Sequence, residues 1–420
     1  MSVAATGTRS RREQWMQADA AFRELISPAG REDPYRCYSV LREIAPVYPS
    51  KLGHIVLTRY ADCVSVLKNR LFTVHDSDWL DATVPDWRER PGLAVVGQSM
   101  IFQNPPVHTR LRRLFGEPFT PRRVQSLRPA LRRLLDAELD AIADAGSDGG
   151  TVDLREMLAL PLPVAVIGLL VGVPESDFGF INTPAADLTA LVDFFASQEK
   201  LRRADEAVEV LAPYFADLVR QRRRRPTDDL ISALASISEQ GDADALTDDE
   251  LVQSMILLFV AGFETSANLI TNGLFALLRH PAQLAALAAD PDLAPQAVEE
   301  VMRYDSPVQG ASRVAVADTE IGGVEVKAGR EIWALSGAAN RDPAQFPDPD
   351  RFDITRTGTK VVSFGGGVHF CIGAPLARLE GVLAFPAVLD RFPRLALAGE
   401  PTLRSDFNLR GFSRLPATVR

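Results

Sequence analysis

Three groups of residues carry types and spacings suited to chemistry. The first is the stretch Phe364-Gly365-Gly366-Gly367-Val368-His369-Phe370-Cys371-Ile372-Gly373. It leads into Ala374-Pro375-Leu376-Ala377-Arg378-Leu379-Glu380, which reads as a helix with Pro375 in its first turn, where the missing N–H leaves nothing unpaired. Cys371 therefore precedes a helix N-terminus and faces free backbone N–H groups and the positive end of the dipole. That setting favours a thiolate over a thiol. The three glycines ahead of it let the backbone press against something flat and large. A thiolate on such a loop suits the axial position of a haem iron, where it pushes electron density toward bound dioxygen. Zinc is a poor competitor, because His369 and Cys371 would need two further ligands at suitable spacing. Without a Cys-x-x-Cys-His run, covalent haem attachment is not expected.

The second group is Ala261-Gly262-Phe263-Glu264-Thr265-Ser266, which follows the apolar run Met255-Ile256-Leu257-Leu258-Phe259-Val260. An acid and two hydroxyls in the centre of a buried helix are costly without a purpose. Gly262 weakens the helix there, and the Thr265 hydroxyl can bond back to the Ala261 carbonyl. A Gly/Ser/Thr kink satisfied internally is the plainer alternative. The third group, His108 and Arg112, is four residues apart and shares a helix face, where the pair can hydrogen-bond buried carboxylates.

The elements that must position these residues are legible too. Thr247-Asp248-Asp249-Glu250 is a capping box, and the helix it opens runs to Arg279, where His280-Pro281 ends it. At a rise of about 1.5 Å per residue such a helix is long enough to cross the whole protein. Residues 33–45 and 60–69 read as helices and residues 54–59 as a strand. Residues 75–103 show little periodicity, which suggests a functional lid or an ordinary surface loop. A helix starts after Pro105-Pro106, and residues 126–300 are mostly helical, with breaks at Gly146–Gly150, Pro161–Pro163, Pro174 and Gly241–Ala243. Residues 314–316, 320–322 and 331–335 read as a small antiparallel sheet. The phenylalanines at 178, 180, 194 and 195 suit either a substrate gate or core packing. The run Arg222 to Arg225 suits a solvated helix end.

Taken in order, these motifs resemble those of the cytochrome P450 family over essentially the whole chain. The cysteine loop matches the family's Phe-Gly-x-Gly-x-His-x-Cys-x-Gly at every fixed position, and residues 261–266 match its Ala-Gly-x-(Asp/Glu)-Thr-(Thr/Ser). The resemblance implies a mainly α, triangular fold with a minor β lobe and a long central helix over the haem, as one domain spanning residues 1–420. It implies haem b (iron protoporphyrin IX) with Cys371 on the metal. Phe364, Gly365, His108, Arg112, Arg313 and His369 would hold the cofactor, the last four by its propionates. Thr265 and Glu264 would serve catalysis by delivering protons to bound O2. Val260, Ala261, Val308 and Leu409 would line the substrate pocket. Glu300 and Arg303, of a Glu-x-x-Arg motif, and Arg351 would form a buried structural triad.

The implied activity is that of an oxidoreductase, a monooxygenase that hydroxylates or epoxidises a small-to-medium apolar secondary metabolite. Composition by analogy suggests a polyketide or macrolide intermediate on an antibiotic pathway. Electrons are expected from NAD(P)H through ferredoxin reductase and ferredoxin, since no flavin or iron–sulfur signature is present. Arg110 and Arg113 are candidates for the docking patch. Alternatives are oxidation of a substrate borne by an acyl carrier protein, docking around residues 178–200, and a haem protein that does not oxygenate. The acids Asp76, Asp78, Asp81 and Asp86 near Trp79 and Trp87 could meet a cationic amino sugar, but solvated acids are the favoured reading.

Composition narrows the classes further. The 420 residues are 46% hydrophobic and 24% charged, ordinary for a globular chain. The net charge of −9 argues against nucleic acid and anionic membrane. The odd, scattered cysteines, Cys37, Cys63 and Cys371, fit a reducing cytoplasm. No stretch approaches ~18 uninterrupted apolar residues, so neither anchor nor signal peptide is expected. Disorder is expected over residues 1–15, and a monomer overall.

Overall fold

The computed structural model describes residues 10–239 and 246–419. The expected break at Gly241–Ala243 lies outside them, as does most of the N-terminal stretch expected to be disordered. From Ser10 onward that last expectation is corrected. Ser10 and Glu13 form a reciprocal capping box for the helix Arg11–Ile26. Asp19 on that helix is buried against the hydroxyl of Tyr48.

Helices dominate, beside a small β lobe. A five-stranded sheet has the order Val47–Pro49, Ile55–Leu57, Glu331–Ala334, Ala311–Ala315, Phe72–Thr73. It is mixed rather than antiparallel throughout, because Ile55–Leu57 runs parallel to Glu331–Ala334. The strands Thr319–Ile321 and Val324–Val326 form a separate hairpin. Its turn, Gly322-Gly323, has both φ angles positive, the geometry that two-residue hairpins favour.

Asp248–Arg279 is one unbroken helix with the capping box in place and His280 at its C-cap. It is buried through most of its length, hereafter the central helix. By length and composition it could cross a membrane, but here it forms the middle of the core. Pro161–Val171 and Gln198–Arg224 pack against one part of it, and Ala374–Arg391, the helix after the cysteine loop, against another.

Residues 75–103 are more regular than their sequence suggests. They hold the helices Ser77–Thr83 and Pro91–Gln98 and two 3-10 turns. Each helix is too short for periodicity to register, and each is fixed by tertiary contacts. The Gly92 N–H donates to Asp205 Oδ1 on Gln198–Arg224 at 2.8 Å. A Cβ on Gly97 would lie 2.3 Å from the Trp87 ring. The loop acids are partly spent internally. Asp76 caps its helix and accepts from Asn104, and Asp81 accepts from Trp87 and Arg88. Asp78 and Asp86 are exposed, so solvation is the better reading of this cluster. Phe194 and Phe195 pack on Trp333 and Phe407 as core, whereas Phe180 is exposed. The arginine run is partly tied in, with Arg222 paired to Asp229 at 2.5 Å.

Candidate functional site

The cysteine loop owes its path to glycine. Gly365 and Gly367 have φ of 70° and 64°, and a Cβ on Gly367 would lie 2.6 Å from the Leu67 carbonyl oxygen. The Cys371 N–H returns to the Phe364 carbonyl at 2.9 Å, closing the loop just before Ala374–Arg391 begins. Cys371 keeps exposed surface and lines a cavity between the loop and the central helix. Burial pushes its thiol up. The backbone N–H groups of Gly373 and Ala374, and the cations Arg112 and Arg378, pull the other way without overcoming it. Desolvation therefore opposes the helix terminus that favours a thiolate.

Four bases converge beside this sulfur. His108 and Arg112 come from the helix Val107–Gly116, Arg313 from Ala311–Ala315, and His369 from the loop itself. The His108 and His369 ring centroids are 4.3 Å apart. Burial, then Arg112, depresses His108 to about 4. Burial, then Arg313, His108 and Arg112, depresses His369 to about 3. Burial lowers Arg313 to about 10. Among the described residues, the charges acting on these groups are one another and the Cys371 thiol, with no carboxylate among them. His369 Nε2 is buried and lacks a hydrogen-bond partner among the described residues. An uncompensated nest of four bases calls for carboxylates from elsewhere. One thiol facing a cavity next to such a nest fits haem, iron toward Cys371 and propionates toward the bases. Phe364, under the Arg378 guanidinium at 4.4 Å, also lines the cavity.

The opposite wall is the central helix. Leu257, Leu258, Ala261, Gly262 and Thr265 lie at the i, i+3, i+4, i+7 spacing of one face and line the cavity. A Cβ on Gly262 would lie 2.8 Å from Ile167, so glycine lets the two helices close. Thr265 Oγ1 donates to the Ala261 carbonyl at 2.8 Å, as its position predicts. Ser99, Met100, Ile101, Ile167 and Val308 complete an apolar enclosure of about 280 Å³.

Of the four expected pocket residues, Ala261 and Val308 line the cavity and two do not. Val260 is one step off the lining face and is buried in the core. Leu409 pairs with Val308 in an isolated β-bridge and is buried without lining the cavity.

Glu264 also turns away from the cavity. It is 1% exposed and accepts from Arg155 Nη2 at 2.9 and 3.2 Å and from Arg404 Nη1 at 2.7 Å. Arg404 bonds Asp406 at 2.9 Å, and Asp406 pairs with the partly exposed Lys200 at 2.6 Å. A chain of ion pairs thus runs from Glu264 toward the surface. Nothing local in the sequence marks Arg155 or Arg404 as its members.

Behind the loop, Glu300 and Arg303 form a fully buried bidentate pair at 2.8 Å. The third member is corrected. The Arg351 side chain is 64% exposed and pairs with Asp353, and only its carbonyl oxygen reaches Arg303. Arg356 Nε lies 3.3 Å from Glu300 instead. The chain turns after Phe352, which sends Arg351 outward and brings Arg356 back. Arg110, offered as a docking residue, is ion-paired with Glu250 on the central helix, so it is no open patch.

A residue that sequence reasoning passed over is Glu380. It is 2% exposed, its Oε2 has no partner among the described residues, and burial raises it to about 8 against a hydrogen bond with Ser266. Among the described residues, no group of three or more metal-ligating side chains forms a separate metal site.

Comparison with known proteins gives the family and the fold. Residues 81–419 match the family model for Cytochrome P450. The chain is 37% identical to 6-deoxyerythronolide B hydroxylase of Saccharopolyspora erythraea, over 94% of this chain and 98% of that one. It is 39% identical to the cytochrome P450 monooxygenase PikC of Streptomyces venezuelae, over 92% and 91%. Among solved structures, P450BioI in complex with a hexadec-9Z-enoic acid-ligated acyl carrier protein aligns with a TM-score of 0.87. That match has 37% identity and covers 93% of this chain and all of the other.

Proposed function

The chain belongs to the cytochrome P450 family and is a monooxygenase with its mainly α fold, and from that premise we propose what it oxidises and how. Its substrate is a small-to-medium apolar secondary metabolite, a polyketide or macrolide intermediate, that it hydroxylates or epoxidises. Electrons come from NAD(P)H through ferredoxin reductase and ferredoxin, in the cytoplasm, with the chain acting as a single-domain monomer. The observation that carries this reading is one cavity lined by Cys371, His108, Arg112 and His369, with Arg313 acting on His369 from behind, and by the apolar face of the central helix that bears Thr265. The likeness to the relative named 6-deoxyerythronolide B hydroxylase supports the substrate class.

Cys371 would ligate the iron, and His108, Arg112, Arg313 and His369 would pair with the propionates. Haem so held supplies the binding and reductive activation of O2. The residues of this chain supply everything around it. Ala261 is small and leaves room for substrate. The leucines at 257 and 258 exclude water from the far side, which protects a reactive site from side reactions. Thr265 holds its hydroxyl at the cavity surface with its proton directed to Ala261, leaving oxygen lone pairs to accept from a water and hold it. Glu264, behind the helix and bonded to Arg155 and Arg404, would assist proton delivery by exchanging those partners for water that reaches solvent. Glu300, Arg303 and Arg356 keep the loop in place and take no part in chemistry.

The likeness to P450BioI supports a carrier-borne substrate as the second reading. Turnover under oxygen-18 gas with ferredoxin and its reductase tests both. Product carrying one labelled oxygen from free macrolactones, and none from acyl carrier protein thioesters, is expected. The reverse outcome transfers the proposal to the carrier-borne class, and no label in either excludes monooxygenation.

A further inference from the structure

Among the described residues, every hydroxyl on the cavity wall is spent except one. Ser99 Oγ donates to the Val96 carbonyl at 3.2 Å, Thr265 to Ala261 at 2.8 Å and Ser363 to Met302 at 2.7 Å, while Ser266 bonds Glu380. Ser254 also lines the cavity and is 4% exposed, yet its Oγ has no hydrogen-bond partner. A serine inside a helix can bond the carbonyl one turn back, as Thr265 does. Ser254 forgoes that bond and presents an unpaired donor and acceptor to an apolar enclosure, a costly arrangement unless something enters to satisfy it.

We propose that Ser254 is a specificity-determining residue, and that the substrate carries a neutral oxygen which it hydrogen-bonds, remote from the carbon oxidised. This rests on the monooxygenase reading. Ser254 is two helical turns from Ala261 and shares its face, because seven residues bring the helix back to nearly the same direction. At 1.5 Å per residue the separation along the axis is about 10 Å to Ala261 and about 16 Å to Thr265. A substrate of a few carbons cannot span that distance, so the substrate is an extended or large-ring apolar molecule. The oxygen is neutral, because the charged side chain on the cavity wall, Arg112, belongs to the basic nest that the propionates would neutralise, and one serine does not compensate a buried ion. A hydroxyl, ketone, ester or lactone carbonyl fits.

The test uses the holoenzyme and pairs of probes of equal shape: linear 2-ketones of eight to fourteen carbons and the 2-methyl-1-alkenes that replace C=O by C=CH2. Affinities come from absorption titrations without reductant, for wild type, Ser254→Ala and Ser254→Thr. The ketone-to-alkene affinity ratio is expected to peak at one chain length in wild type. It should fall about fivefold there in Ser254→Ala and persist in Ser254→Thr, a size typical of one neutral hydrogen bond. Equal ratios in wild type and Ser254→Ala at every length overturn the proposal and assign the hydroxyl to a water. The carbon monoxide spectrum of each protein separates failures: a thiolate band with equal ratios removes only this inference, whereas a missing band in wild type removes the monooxygenase reading itself.

Discussion

Glu264 and Arg404 meet at 2.7 Å on the side of the central helix turned away from the cavity that Thr265 lines. The acid and the hydroxyl of one motif, adjacent in sequence, are therefore separated by the helix. Adjacent residues point about 100° apart, so one reaches the cavity and the other reaches the buried arginines. Replacing Arg404 by Ala leaves Glu264 with Arg155 alone. Stability is expected to fall by about 2–4 kcal/mol, read from urea midpoints, as for a buried pair that loses one partner. A change below about 0.5 kcal/mol would mean that Glu264 does not depend on this arginine.

Thr265 makes a single hydrogen bond, to the Ala261 carbonyl, and its loss leaves no buried group stranded. Thr265→Ala should therefore fold as wild type does, with reductant consumption maintained and product per NAD(P)H reduced severalfold. The ratio of product to reductant oxidised measures this. An unchanged ratio removes Thr265 from proton handling.

The corrected triad makes a paired prediction. Arg356→Ala strips a cation from the buried Glu300 and should destabilise by about 3 kcal/mol. Arg351→Ala removes an exposed pair with Asp353 and should cost less than about 1 kcal/mol. Equal effects, or the reverse order, would restore Arg351 to the role.

Glu380 gives the fold a pH dependence of its own. Its carboxyl titrates near 8 in the folded chain, mainly from burial, against an ordinary value of 4.5. Between those values the folded chain holds a proton that the unfolded chain has released, so stability falls as pH rises through the window and levels off above it. Glu380→Gln should abolish the slope and be more stable than wild type at pH 9, by up to about 5 kcal/mol. Parallel urea midpoints for the two proteins from pH 5 to 9 contradict this.

Much of the site was legible because its signals are local. The cysteine loop, the capping box at Thr247 and the back-bond of Thr265 each depend on residues a few positions apart, and all appear where the sequence places them. The basic nest was also foreseen, by motif rather than by any local rule. What stayed hidden depends on contacts across the chain. Arg404 is 140 residues from Glu264, and no pattern links them. Arg351 and Arg356 are both plausible partners for Glu300, and only the turn after Phe352 decides between them. Val260 and Leu409 are apolar and near the site, but helix phase and a β-bridge turn them out of the cavity. The thiol of Cys371 shows the same limit, since a helix terminus is readable from sequence and the depth of burial that opposes it is not.

The central claim is that Cys371 ligates haem iron through sulfur. The absorption spectrum of the reduced protein with carbon monoxide tests it most directly. A strongly red-shifted Soret band in wild type, absent from Cys371→Ala, is the predicted result. An unshifted band in folded, haem-loaded wild type would contradict it.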